Sequence, residues 1–442
     1  MDRREFRKRR RRRAQILSYI TAALLLAGLL SGVIFAVRSI SGRASESGGI
    51  PTEAESQEET DLEKGQETRS ERGDADGQTE TALEESLTEE GEAQLSVMTE
   101  EELDASIEAM SLEEKVAGLF FITPEQLTGV ETAVQAGEST REALQRFPVG
   151  GLVYFAQNIR SASQLKEMLE NTASYSKYPL FLGVDEEGGR VARVADGLGL
   201  ENVGPMAQIG ASGDADAAYS AAAGIASYLQ EYGFNLDFAP VADVLTDPDN
   251  TAIADRSFGS DPQIVSQMVA AAVQGFQKNG VSSCLKHFPG HGNTAGDSHD
   301  GRAETDRSLE EMQAAEFLPF AAGIEAGADM VMVGHISAPG LTDGDQLPAS
   351  MNEKIITGIL RDQLGYDGIV ITDAMNMSAV TQYYTAEEAA VRALNAGADM
   401  ILMPEDFTAA YEGVIAAVQN GTIDEKRIDD SLKRVFRVKY RR

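Results

Sequence analysis

The sequence predicts an α/β protein: a (β/α)8 TIM-type barrel forming a single domain over residues 98–442, preceded by one transmembrane helix and a disordered linker. Three observations predict it. After Met98, eight short apolar runs alternate with amphipathic stretches at a spacing of about 30 to 50 residues, the mark of repeated βα units. Polar or charged residues stand at the C-terminal ends of several of those runs, where a barrel gathers its working side chains. Before Met98 the composition changes twice, from basic to apolar and then to acidic.

The N-terminal elements follow from that change. Residues 1–15 form a basic cytoplasmic segment, with Arg3, Arg4 and the unbroken Lys/Arg run 7–13. Ile16 to Val37 is uncharged and apolar over 22 residues, long enough to cross a hydrocarbon core of about 30 Å as a helix. Basic residues at one end hold that end in the cytoplasm and place the rest of the chain outside, in the cell membrane as a single-pass protein. A cleaved signal peptide, giving a secreted protein, is the alternative, but a small-x-small cleavage site is not evident after Val37. Residues 38–97 are rich in Glu, Thr, Ser, Gly and Gln, with too little apolar surface to offset ordering entropy, so they read as a disordered spacer.

Charge sharpens the division. Residues 1–45 carry 11 Lys or Arg against 2 acids, 46–97 carry 17 acids against 3 bases, and the remainder holds −28 of the total −33. An acidic body lacks the clustered cations that phosphate needs, so nucleic acid is excluded as a partner. The one cysteine, Cys284, excludes an intrachain disulfide and reads as a small buried hydrophobe on a strand.

The eight strands are expected at Leu119–Thr123, Gly150–Phe155, Pro179–Asp185, Phe234–Pro240, Ser283–Pro289, Asp329–His335, Gly368–Asp373 and Asp399–Pro404. Helical patterns lie between them, among others at Ser161–Ala173, Pro262–Lys278, Ser308–Ala326 and Asn352–Leu364. A doubly wound sheet is the main rival, but it usually carries a Gly-rich phosphate loop after its first strand, and none follows Thr123.

Asp185, Asp237, Lys286 with His287, His335 and Asp373 sit at strand ends that a barrel would turn toward one mouth. Several charges retained at such ends are best explained by a site. The densest segment is Lys286-His287-Phe288-Pro289-Gly290-His291-Gly292 with Asp297-Ser298-His299 behind it, holding three of the four histidines. A metal site is the rival reading, since His287 and His291 are four apart. Pro289, Gly290 and Gly292 argue against the helix that would put both on one face, so no metal and no organic cofactor is called for.

That heptad with its trailing Asp-x-His resembles the bacterial β-N-acetylglucosaminidase (β-N-acetylhexosaminidase) branch of glycoside hydrolase family 3. Asp185-Glu186-Glu187-Gly188-Gly189-Arg190-Val191 is similar to that family's D-x-E-G-G-R-V element, and Ile371-Thr372-Asp373-Ala374-Met375-Asn376-Met377 to its nucleophile strand; the resemblance covers about 98–442. It implies a catalytic barrel in which Asp373 is the nucleophile and His299 the general acid and base, oriented by Asp297. It further implies that Asp185, Arg193, Arg256, Lys286 and His287 grip the sugar. The activity implied is that of a retaining exo-β-N-acetylglucosaminidase acting on a saccharide partner, with a monomeric catalytic domain. Glu186 stands where the family often has Gln, and Ala374 with Asn376 depart from its pattern after the nucleophile, changes expected to reshape the sugar pocket. Familiar soluble members act in the cytoplasm on recycled wall fragments, whereas the apolar segment here points to peptidoglycan-derived saccharides or muropeptides outside. The rival functions are a β-N-acetylglucosaminide phosphorylase and a catalytically weak wall-binding module. A β-glucosidase of the same family would usually append a second α/β domain, for which about one helix after the last strand leaves no room.

Overall fold

The computed structural model describes residues 98–294, 296 and 301–441. The expected basic segment 1–15, transmembrane span 16–37 and linker 38–97 lie outside the described residues, as do Asp297 and His299. Among the described residues no helix is long and apolar enough to cross a membrane.

Eight parallel strands form one sheet: β1 (Phe120–Ile122), β2 (Gly151–Tyr154), β3 (Phe181–Val184), β4 (Leu236–Asp237), β5 (Ser282–Phe288), β6 (Met330–Val333), β7 (Ile369–Thr372) and β8 (Ile401–Leu402). They pair in chain order from β1 to β7, with β8 returning to the far side of β1. A parallel bridge between Ile371 and Met400 draws β7 and β8 together. There the Thr372 N–H donates to the Met400 carbonyl at 3.1 Å and the Asp399 N–H to the Val370 carbonyl at 2.7 Å. Closure removes the unpaired edges that an open sheet would expose.

All eight strands fall within or within one residue of the expected runs, because strands buried on both faces read as short continuous apolar stretches. Cys284 is fully buried on β5, as expected. Inside the barrel the Phe121 ring lies 5.2 Å from that of Phe238 and 6.4 Å from that of Phe181. Gly151 and Gly183 make room for it: a Cβ on either would stand 2.4 Å or 2.9 Å from the Phe121 ring. The interior is a packed core rather than a pore.

Helices cover the outside. Ala162–Tyr175 follows β2, Ala215–Tyr232 follows β3, and Pro262–Lys278 follows β4 with the bounds the sequence suggested. One expectation is corrected: Ser308–Ala326 is two helices, Leu309–Ala314 and Phe317–Glu325. Pro319 lacks an N–H to give to Ala315, and its ring would strike that carbonyl, so a continuous helix is excluded. The break turns Glu316 inward, where it is fully buried and pairs with Arg307 at 2.9 Å.

The N-terminal end of the barrel is fastened by Asp399. Fully buried ahead of β8, it accepts from Arg361 at 2.5 Å, the Ser431 hydroxyl at 2.7 Å and the Val370 N–H at 2.9 Å. These bonds tie the C-terminal helix Glu425–Lys439 to the sheet. On the same helix Lys439 is 8% exposed, its ammonium 5.0 Å from the Phe181 ring centroid and 6.0 Å from that of Phe436.

Burial brings the Lys439 pKa down to about 7. Between there and the ordinary lysine range the unfolded chain binds a proton that the folded chain does not, so stability rises with pH across that window. Replacing Lys439 with Met is expected to add on the order of 2–4 kcal/mol to unfolding free energy below pH 7. The gain should shrink toward zero near pH 10. Urea denaturation at pH 6, 8 and 10 measures it, and a pH-independent difference would contradict the assignment.

Candidate active site

The C-terminal ends of the strands open onto a cavity of about 500 Å³ lined, among others, by Asp185, Arg193, Arg256, Lys286, His287 and Asp373. That volume suits a small ligand. Six residues expected at the site are thus brought together from segments up to 188 positions apart. Asp297 and His299 lie outside the described residues, so their expected places are not part of this geometry.

The cavity is organised around Lys286. Its ammonium, on β5 and 2% exposed, lies 2.6 Å from Asp185 and 2.6 Å from Glu187. Glu187 in turn accepts two bonds from Arg256, each at 2.7 Å, in a bidentate pair that also fixes the guanidinium plane. Burial would push the Glu187 carboxyl up, but Lys286 and Arg256 overcome it and hold the group well below the usual carboxylate range. Burial would likewise lower Lys286 and Arg256, and the neighbouring carboxylates carry both above their ordinary values instead. Glu187, Lys286 and Arg256 are therefore charged at neutral pH.

The D-x-E-G-G-R-V segment supplies four lining residues through one tight turn. Glu186–Gly188 and Val191–Ala192 pair antiparallel, and Gly188 and Gly189 take φ of +91° and +57° at the turn. A side chain at Gly189 would also meet the Pro205 backbone at 2.8 Å, so glycine is required there twice over. Arg190 then donates to the carbonyls of Thr251, Ala252 and Ile253 at 2.9–3.1 Å, pinning the segment that ends in Arg256.

Glu186 does not line the pocket, a correction to the expectation that its departure from Gln reshapes it. Its carboxylate turns away, accepting from the Val194 N–H at 2.6 Å, the Ala195 N–H at 2.9 Å and the Tyr228 hydroxyl at 2.8 Å. Helix Arg193–Leu198 has no side-chain cap from the residue before it, so Glu186 satisfies its first N–H groups. Arg193, the first residue of that helix, is aimed at the cavity; its buried Nε has no partner among the described residues. Ala374 and Asn376 do line the pocket, so that departure bears on its shape.

Two further expected members stand behind the cavity. Asp237, at the end of β4, is fully buried; one oxygen accepts the Glu186 N–H at 2.9 Å and the other is unpartnered among the described residues. Burial, with Glu186 nearby, pushes its carboxyl well above the ordinary range. His335 is also buried: Nε2 donates to the Ala374 carbonyl at 3.0 Å, which makes Nδ1 the acceptor from the Ser350 hydroxyl at 2.7 Å. Because Asp373 Oδ1 accepts the Ala374 N–H at 2.7 Å, the residue beside the carboxylate is held at both its N–H and its carbonyl.

Sequence reasoning missed three residues. Glu187 was quoted within its motif without a role, Arg190 likewise, and Asp243 was not singled out. Asp243 is fully buried and accepts the His287 Nδ1–H at 2.8 Å, the His287 N–H at 3.1 Å and the His291 N–H at 2.6 Å. Despite burial, these donors hold its carboxyl below the usual range. They leave Nε2 of His287 as the nitrogen a sugar hydroxyl would meet. A second acid within the apolar stretch that follows β4 was the available signal. His291 is buried against His287, its Nδ1 2.7 Å from the Thr294 hydroxyl. Among the described residues no group of His, Cys, Asp or Glu is placed to hold a metal ion.

The chain is similar to known proteins over most of its described length. The sequence profile described as "Glycosyl hydrolase family 3 N terminal domain" matches residues 111–438. Beta-hexosaminidase A of Pseudoalteromonas piscicida is 34% identical over 326 residues, covering 67% of this chain and 54% of that protein. Beta-hexosaminidase of Xanthomonas axonopodis pv. citri is 37% identical over 286 residues, covering 63% and 81%. A solved glycoside hydrolase family 3 beta-N-acetylglucosaminidase from a Paenibacillus species aligns with a TM-score of 0.70 and 36% identity over 75% of this chain and 63% of its own. The chain thus spans about half the length of the first relative and about four-fifths of the second.

The cluster sets a stability prediction. Glu187→Ala removes the carboxylate partner of Arg256 and one of the two that Lys286 has, and is expected to cost about 3–5 kcal/mol, read by urea denaturation at pH 7. Since the folded-state pKa is depressed, Glu187's contribution is present above the ordinary carboxylate range and is lost as pH falls through its folded value. The gap between wild type and variant should therefore narrow progressively as pH falls from the ordinary carboxylate range toward the depressed folded value. An equal gap at pH 7 and pH 2 would contradict the ion-pair account.

Proposed function

This chain belongs to glycosyl hydrolase family 3, and we propose that it is a retaining exo-β-N-acetylglucosaminidase removing terminal β-linked GlcNAc from peptidoglycan-derived saccharides. The observation that carries the reading is a carboxylate, Asp373, lining one barrel-mouth cavity together with the paired charges of Asp185, Glu187, Arg256 and Lys286. The names of the relatives support the choice of sugar.

In the proposed reaction Asp185 accepts from two ring hydroxyls, while Lys286, Arg193 and Arg256 donate to hydroxyl or amide oxygens. The Asp373 carboxylate attacks the anomeric carbon as the glycosidic bond breaks, and His299 gives its proton to the departing oxygen. A covalent glycosyl-aspartate results. His299, its ring held by Asp297, then takes a proton from water, whose oxygen attacks the same carbon and releases Asp373 with net retention. The roles of His299 and Asp297 rest on the motif alone. Glu187 stays charged throughout, positioning Lys286 and Arg256.

The same reading places the catalytic body outside the cell, anchored through residues 16–37, where wall saccharides are within reach. This is supported by the apolar length and flanking charge of that segment.

The test uses the full chain in detergent with a chromogenic β-N-acetylglucosaminide and the matching β-glucoside, with and without phosphate. Release from the acetamido sugar should fall by on the order of 10³-fold or more in Asp373→Ala. A sugar phosphate among the products would replace hydrolysis with phosphorolysis, and no turnover of either sugar would remove the enzymatic reading in favour of wall binding.

A further inference from the structure

A second cavity, of about 420 Å³, opens on the face of the barrel opposite the mouth, where the chain enters β7 and β8. It lies between helix Lys354–Gln363, the turns that lead into those two strands and the C-terminal helix Glu425–Lys439. Thr357, Arg361, Asp367, Arg427, Asp430 and Arg434 are among its lining residues, and none of the residues around it lines the mouth cavity. Three guanidiniums carried by two helices therefore face one space.

One carboxylate gathers the three. Asp399, fully buried beneath them, accepts from Arg361 at 2.5 Å and from Arg434 at 3.2 Å, and lies 3.7 Å from Arg427. Its two oxygens also take the Ser431 hydroxyl and the Val370 N–H, so they cannot use up the donors of three guanidiniums with five N–H bonds each. Arg361 gives Nη1 to the carbonyls of Tyr366 and Gly368 at 2.7 Å and 2.6 Å, and Arg427 gives Nη2 to that of Ala398 at 2.7 Å. The Nε of Arg427 and the Nη2 of Arg434 make no hydrogen bond among the described residues. The acids at the rim are shared with cations outside the cavity, Asp367 with Arg437 at 3.5 Å and Asp430 with Lys426 at 2.7 Å. Burial pulls the Arg427 pKa below its ordinary value, and Arg434 and Arg361 add to the pull against Asp399. On a body that carries −28, this is a local surplus of donors, assembled from positions 361, 427 and 434.

Converging guanidiniums with N–H groups to spare are the chemistry that recognises a phosphate group. A carboxylate presents two oxygens in one plane, whereas the oxygens of a phosphate point in four directions and accept from donors on different helices at once. A cavity of this size also leaves room for the organic part of a phosphate ester. We propose that the cavity lined by Arg361, Arg427 and Arg434 binds a phosphate group, with Arg427 and Arg434 supplying the free donors and Asp399 holding the guanidiniums in place. A single pocket is not the row of cations that a nucleic-acid backbone needs, so that exclusion stands. The inference is independent of the reaction proposed for the mouth.

Isothermal titration of the full chain in detergent with inorganic phosphate, at pH 7 and constant ionic strength, tests it. Wild type should show one saturable site. Arg434→Gln should weaken it about tenfold, through the loss of charge-assisted donors. Asp367→Asn removes a competing acceptor from Arg434 and should tighten binding about two- to fivefold. The Asp367 side chain is 75% exposed, so this second variant decides the matter even where Arg434→Gln fails to fold. Glycerol 3-phosphate separates the two sources of the group: binding tighter than that of inorganic phosphate assigns the site to a phosphate ester, and equal or weaker binding assigns it to the free ion. No saturable phosphate binding in wild type overturns the inference. An affinity unchanged in Asp367→Asn and in folded Arg434→Gln overturns it as well, because the phosphate would then sit elsewhere, as at the cations of the mouth.

Discussion

The structure depends on a constraint that the barrel mouth imposes: charges buried there must pair with one another. Each ion removed from water costs several kcal/mol, and only close, well-directed partners offset it. Lys286 meets the condition by sitting between Asp185 and Glu187, and Glu187 by gripping Arg256 with both oxygens. Because these residues come from β5, the end of β3, the turn after it and the segment after β4, one electrostatic requirement fixes four pieces of chain relative to one another. The cavity is the space that remains once the requirement is met.

Behind this layer stands a second one that sets direction. Asp243 orients the His287 ring, Glu186 caps the helix that begins with Arg193, and His335 holds the peptide next to Asp373. Each is buried, and none of the three touches the cavity. Fixed donors and acceptors need no reorganisation when charge develops on a ligand, so this layer preorganises the groups in front of it. Glu186 and Asp237 show the cost of the arrangement, since burial drives both carboxyls upward.

Much of this was legible beforehand, for reasons that are physical. The eight strands were readable because a doubly buried strand is a short apolar run, and Lys286, Asp185 and Asp373 because a charge at the end of such a run is conspicuous. Asp237 and His335 carried the same signal yet face away from the cavity: a strand end gives position along the barrel, while hydrogen-bond partners from other loops decide what the side chain does. Glu187 and Asp243 were passed over because their meaning lies in partners 99 and 44 residues away, Lys286 and His287, to which local periodicity is blind. The split helix could have been found from Pro319 alone.

Arg193 closes the argument about what the pocket is built to receive. Lys286, Arg256 and Arg190 all reach protein acceptors, whereas the Nε of Arg193 is buried without one among the described residues. An unsatisfied buried donor costs about 1–3 kcal/mol, a burden that a fold shaped by stability alone would shed. Glu186 and the two helix N–H groups it accepts hold Arg193 in that position. An oxygen-rich ligand entering the cavity would supply an acceptor for that donor. A sugar bearing an amide carbonyl and several hydroxyls offers such acceptors in number, which joins the unpaired donor to the choice of substrate.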